Sequence, residues 1–211
     1  MKLFVTIALL VMAINLNGKD VDKSSETTNF TILSSGYKIV ETEKIEFNRI
    51  VKYLDKFYHI EGSVSFDDEG NTLQTISEKK EISEDDIKSI SANMKNEDFK
   101  STLFNDQQVV LVHFVSKDLN SLRTEISHKI KEELVKNDLW ESSDISMFDG
   151  TVNLEFEVKD WNKALSLIYK FLIEEKIIEK CLIGKRVYFE EEDYNYEVVY
   201  PIDYEGSFYS Y

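Results

Sequence analysis

One cysteine, one proline, seven glycines and three histidines among 211 residues leave several chemistries without material. Cys181 has no second thiol to pair with, so no internal disulfide can form and the fold rests on its core. It lies in the apolar stretch Ile177 to Ile183, the setting of a buried, inert thiol. The few glycines form no P-loop, no dinucleotide-binding pattern and no G-x-S-x-G elbow. A nucleophile needs a base beside it, and His59, His113 and His128 supply the imidazoles. None stands in a catalytic signature, and His113 sits inside the apolar run VVLVHFV, so structural roles are expected.

Positive charge is scarce as well: 25 basic residues face 40 acidic ones, a formal charge of −15. Such a surface repels phosphate backbones, which excludes nucleic acid as an expected partner. A basic protein or a cationic peptide is the complementary partner. Long hydrophobic runs are missing too. The longest, Leu3 to Ile14, has 12 residues, where a membrane-spanning helix needs roughly 20. Met1 and Lys2 precede it and the polar Asn15 to Gly18 follow it, the layout of a secretory leader over residues 1–18. Residues 19–28, KDVDKSSETT, read as a linker. The chain is therefore expected to be exported, periplasmic or secreted, and not embedded in a membrane.

What is present is ample apolar material, 42% hydrophobic with 12% aromatic, enough for a core. Its patterning predicts two similar α+β units, 29–105 and 106–211. In the first, Phe30 to Val40 reads as a bent strand with a bulge at Ser34 to Gly36. Phe47, Ile50, Val51, Leu54 and Phe57 recur at helical spacing, which predicts a helix over Thr42 to Tyr58. Ser63 to Phe66 and Thr72 to Ile76 flank a polar turn, and Ser83 with Asp86 opens a short helix.

The second unit repeats that order. Val109 to Val115 reads as a strand, and Leu122, Ile126, Ile130 and Leu134 draw a helical stripe. Asp149-Gly150 is a hairpin turn between Ile145 to Phe148 and Thr151 to Val158. Asp160 caps a helix expected to reach Lys180 and stop near Gly184. Each unit is thus expected as β-α-β-β-α, with a mainly antiparallel sheet under helices on one face, akin to ferredoxin-like split β-α-β arrangements. A C-terminal β-hairpin, Val187 to Glu190 with Tyr194 to Tyr200, closes the chain.

No cofactor pattern is found, and the metal patterns are incomplete. His128 and Glu132 share a helix face, which is one pair and no more. Asp67-Asp68-Glu69-Gly70-Asn71 lacks glycine at the sixth position of a calcium loop. Glu155 and Glu157 could act as acid and base on one strand face, without an aromatic platform evident in the sequence beside them.

The unusual segment is the last. Residues 188–211 hold seven of the 11 tyrosines among seven acids, with no Lys or Arg. Tyrosines interleaved with carboxylates suit a docking surface for a cationic partner. The residues expected to carry it are Tyr188, Glu191, Tyr194, Tyr196, Glu197 and Tyr200. The function this implies is a non-enzymatic, exported binding protein, for example an immunity-type inhibitor of a basic protein. The competing expectation is a secreted or periplasmic hydrolase whose carboxylates converge only in the fold.

Overall fold

The computed structural model describes residues 30–104, 107–148 and 150–209. The expected leader, the linker and Asp149 lie outside the described residues. The elements form two antiparallel five-stranded sheets with helices, so the chain is α+β with sheet predominating.

The first sheet begins as a meander: β1 (Phe30–Glu41), β2 (Lys44–Tyr53), β3 (Lys56–Phe66) and β4 (Thr72–Ile82). A short helix, α1 (Asp86–Asn96), follows it. The helix expected over Thr42 to Tyr58 is therefore a β2–β3 hairpin, and the first half is not a β-α-β-β-α unit. Two causes explain the difference. Ile45, Phe47 and Val51 are buried together on one strand face, but the charged Arg49 interrupts their alternation. The flanking turns are also unmarked by glycine, because Glu43 (φ 63°) and Leu54 (φ 55°) take the left-handed conformation. Gly62 of β3 lies at the register shift opposite the extra residue Ser77 of β4. A Cβ there would fall 2.2 Å from the Thr75 carbonyl oxygen, so the approach of β4 requires glycine.

The second half keeps the expected order of elements. β5 (Val109–Phe114) leads through a 3₁₀ turn into α2 (Arg123–Lys136), and β6 (Trp140–Phe148) and β7 (Thr151–Val158) form a hairpin. Next come α3 (Trp161–Glu174), β8 (Cys181–Tyr188) and β9 (Tyr194–Tyr200). Asp160 caps α3 by accepting from the Lys163 amide at 3.1 Å. That helix ends at Glu174 and not near Lys180, because Cys181 to Ile183 belong to β8. Gly184 is likewise a strand residue, with the Glu197 carbonyl 3.4 Å from where a Cβ would be.

The second sheet runs β6-β7-β5-β8-β9. Strand parity gives it two unlike faces. Val110, Val112, Phe114, Leu154 and Phe156 share a core with Ile130 and Leu134 of α2 and Leu165 and Ile168 of α3. Leu111, Leu182, Tyr196 and Val198 point the other way and pack under Phe208. Phe208 belongs to β10 (Gly206–Phe208), which adds to β4 and makes the fifth strand of the first sheet.

The sheets meet along β9. One part of the contact is aromatic: Phe30 lies 5.2 Å from Tyr169 and 5.9 Å from Tyr200, centroid to centroid. The other part is polar and buried. Gln74 accepts from the Val198 amide at 2.7 Å and donates to its carbonyl at 3.0 Å, pairing the free edge of β9 as a strand would. Arg49 donates to Glu197 Oε1 at 2.6 Å and to the Val198 carbonyl at 2.9 Å, and Tyr37 donates to Glu197 Oε2 at 2.7 Å.

Candidate functional site

Of the six residues expected to form a docking surface, Glu197 and Tyr196 are wholly buried and Tyr188 is buried at 5% exposure. Glu197 faces the first sheet, where Arg49 and Tyr37 consume both of its oxygens. It cannot reach a partner at the surface and acts as a clamp between sheets. Tyr200 points into the aromatic contact with Phe30, Tyr53 and Tyr169, and burial pushes its hydroxyl up to about 12. Glu191 is exposed in the β8–β9 turn with Glu190, Glu192 and Asp193.

Tyr188, Tyr194 and Tyr196 do converge, on the face of the second sheet opposite the helices. Register explains why: Tyr188 lies directly across from Tyr194, and Arg186 across from Tyr196. Arg186 is their centre. Its Nη2 donates to the Tyr196 hydroxyl at 2.7 Å and to Glu155 Oε2 at 2.5 Å. Its guanidinium carbon stands 4.1 Å above the Tyr194 ring, a stacked cation–π contact. The Tyr188 hydroxyl donates to Gln107 Oε1 at 2.5 Å. The cluster is only partly covered, since the side chains of Arg186 and Glu155 retain 11% and 18% exposure.

Glu155 therefore has the aromatic neighbours that the sequence did not reveal, because they come from strands β8 and β9, beyond α3. Glu155 and Glu157 share this face with Asp144 and Ser142 of β6, which stand opposite them. Burial pushes the Glu155 carboxyl up, against the pull of the Arg186 charge. Glu157 is held below its usual range by hydrogen bonds from Gln107 and then Ser142, the latter at 2.8 Å. Two carboxylates two residues apart are thus driven in opposite directions.

The remaining candidates are occupied structurally. His113 Nδ1 pairs with Asn153 Oδ1 at 2.7 Å, and burial lowers its basicity. His59 Nε2 contacts Asn48 Oδ1 at 2.8 Å. His128 and Glu132 form an exposed pair at 3.2 Å. Asp67 Oδ1 accepts from the amides of Glu69 and Asn71, and its other oxygen accepts from the Ser207 hydroxyl, so its carboxyl is held down at about 2. Cys181 is buried and its thiol is pushed up to about 12 by that burial. Among the described residues no three His, Cys, Asp or Glu side chains gather as metal ligands.

No protein-family model, curated protein or solved structure matches the chain.

Proposed function

We propose that this is an exported, non-enzymatic binding protein that holds a basic protein segment against the helix-free face of its second sheet, at the end carrying the β8–β9 turn. One observation carries the reading. Asp144, Glu155 and Glu157, with Tyr194 and the exposed acids 190–193, lie at or beside that face, and Arg186 within it is already neutralised by Glu155. A lysine or arginine arriving there meets carboxylates without an ion-pair partner among the described residues and the edge of the Tyr194 ring together. The docking set is thus Glu191 and Tyr194 with Asp144 and Glu157, while the buried Tyr188 and Tyr196 support Arg186 from beneath. The leader-like residues 1–18 support export, and the order β6-β7-β5-β8, with α2 and α3 in the crossovers, supports a ferredoxin-like reading of the second unit.

The test is fluorescence anisotropy of a labelled Lys/Arg-rich dodecapeptide at about 50 and 200 mM salt, where charge-driven binding should weaken as salt rises. The triple variant Asp144→Lys, Glu157→Lys, Glu191→Lys should lose about tenfold or more in affinity. Equal binding by the variant retires the reading.

The opposed shifts of Glu155 and Glu157 favour one second reading, a hydrolase with Glu155 as acid and Glu157 as base. It requires turnover of chromogenic glycosides that both Glu155→Gln and Glu157→Gln abolish. Absence of turnover in the native protein disposes of it.

A further inference from the structure

Where the two sheets diverge beside the polar clamp, they leave a cavity of about 470 Å³, a size typical of small-molecule sites. Its walls include Ser35 and Tyr37 of β1, Trp161 at the start of α3, Lys185 of β8, and Gln107 and Gln108 before β5. Lys185 stands directly across from Glu197 on the inner face of the second sheet. Its Nζ lies 4.7 Å from the Tyr37 ring centroid and 5.5 Å from that of Trp161, both rings being cavity walls.

The charge balance around this lysine does not close. Arg49 and Lys185 share the single carboxylate Glu197, and that carboxylate gives its oxygens to Arg49 and Tyr37. Among the described residues Lys185 has no ion-pair or hydrogen-bond acceptor. The other charges of the wall are matched: Arg186 with Glu155, Lys159 with Asp138, and Asp160 with Lys163. One cation is therefore left over, between two ring faces, at the edge of a cavity. Burial lowers its basicity, which is the cost of lacking an anion.

The rest of the wall narrows the complement. Ser35, Ser101, Thr102 and Gln108 offer hydroxyl and amide groups, and Trp161 and Tyr37 offer ring surface, while the Gln107 amide is engaged by Tyr188 and Glu157. We infer that this cavity is a binding site for a small organic carboxylate bearing hydroxyl or amide groups, with its carboxylate on the Lys185 ammonium and its polar body among the serine, threonine and glutamine side chains. The site is bordered by Gln107, Arg186 and Tyr188 of the docking face proposed above, but its anchor, Lys185, lies on the opposite, inner face of the second sheet.

Two readouts test it on the full chain. Trp161 is the reporter in a Trp140→Phe background, titrated with gluconate, lactate and N-acetylglycine, and with glucose and N-acetylglycinamide as neutral counterparts. Calorimetry gives the affinities. At least one of the carboxylates is expected to bind saturably, its neutral counterpart not, and Lys185→Met should weaken binding about tenfold or more. Without ligand, Lys185→Met should melt at the same temperature as the parent or higher, because it removes an unmatched charge; a merely structural lysine would lower it. The docking-face variant Asp144→Lys, Glu191→Lys, which leaves Gln107 and its Glu157 partner intact, should weaken peptide binding yet bind the carboxylate as the parent does, which separates the two proposals. Failure of all three carboxylates to bind, equal binding of the neutral counterparts or of inorganic phosphate, or unchanged affinity in Lys185→Met overturns the inference.

Discussion

The two sheets have the same number of strands and the same antiparallel pairing, yet they are stabilised by different means. The second brings its own cover, since α2 and α3 lie between its strands in sequence and close one face with Ile130, Leu134, Leu165 and Ile168. The first is a meander with only the short α1 attached, and it borrows cover from β9 and α3 of the other half. Polar side chains do much of that work. Arg49, Thr72 and Gln74 are buried because they satisfy the edge of β9 and the Asn195 and Glu197 that project from it. One sheet is thus self-sufficient and the other is bound by a hydrogen-bonded seam.

That contrast can be broken most severely at the seam. Glu197→Ala should cost about 3–5 kcal/mol in chemical denaturation, because it leaves the Arg49 cation buried and unpaired. The double variant Arg49→Met, Glu197→Leu should recover much of the loss. Native-state hydrogen exchange should show β1–β4 opening before β5–β8 in the single variant.

Alkali should reach the same seam without mutation. Burial, and then the charge of Glu197, hold the Tyr37 hydroxyl well above its ordinary value, and Tyr200 is pushed up to about 12. A folded value above the unfolded one means full stability below about pH 10, lost as pH rises toward and beyond the folded values. Circular dichroism should therefore show cooperative alkaline unfolding coincident with tyrosinate absorbance, shifted to higher pH in Tyr37→Phe.

The smallest effect sharpens the comparison from the self-sufficient side. Asp160→Ala removes the cap of α3 and should cost about 1 kcal/mol. Its thermal melt should stay two-state, since α3 is held by seven buried residues.

The same contrast explains what the sequence revealed. In the second half, Ile126, Ile130 and Leu134 keep helical spacing and Asp160 announces its helix, so local signals agree with the packing. In the first half the decisive residue is Arg49, whose presence on a core face makes sense only with Glu197, 148 residues away. The docking face divides likewise. Tyrosine density pointed to Tyr194, which is partly exposed, but strand parity alone does not say which face a distant segment will cover. Glu197, Tyr196 and Tyr188 were therefore expected outside and lie inside. Lys185 carried no signal at all, because its isolation is defined by what Arg49 takes from Glu197.

The strand that completes the first sheet leaves the ribosome long after its partner β4. Ser207 and the Thr72 carbonyl it bonds are 135 residues apart, so at typical elongation rates β4 waits on the order of ten seconds for its neighbour. During that interval the nascent chain presents an unpaired strand edge, whose exposed Lys79 and Lys80 discourage pairing with other chains.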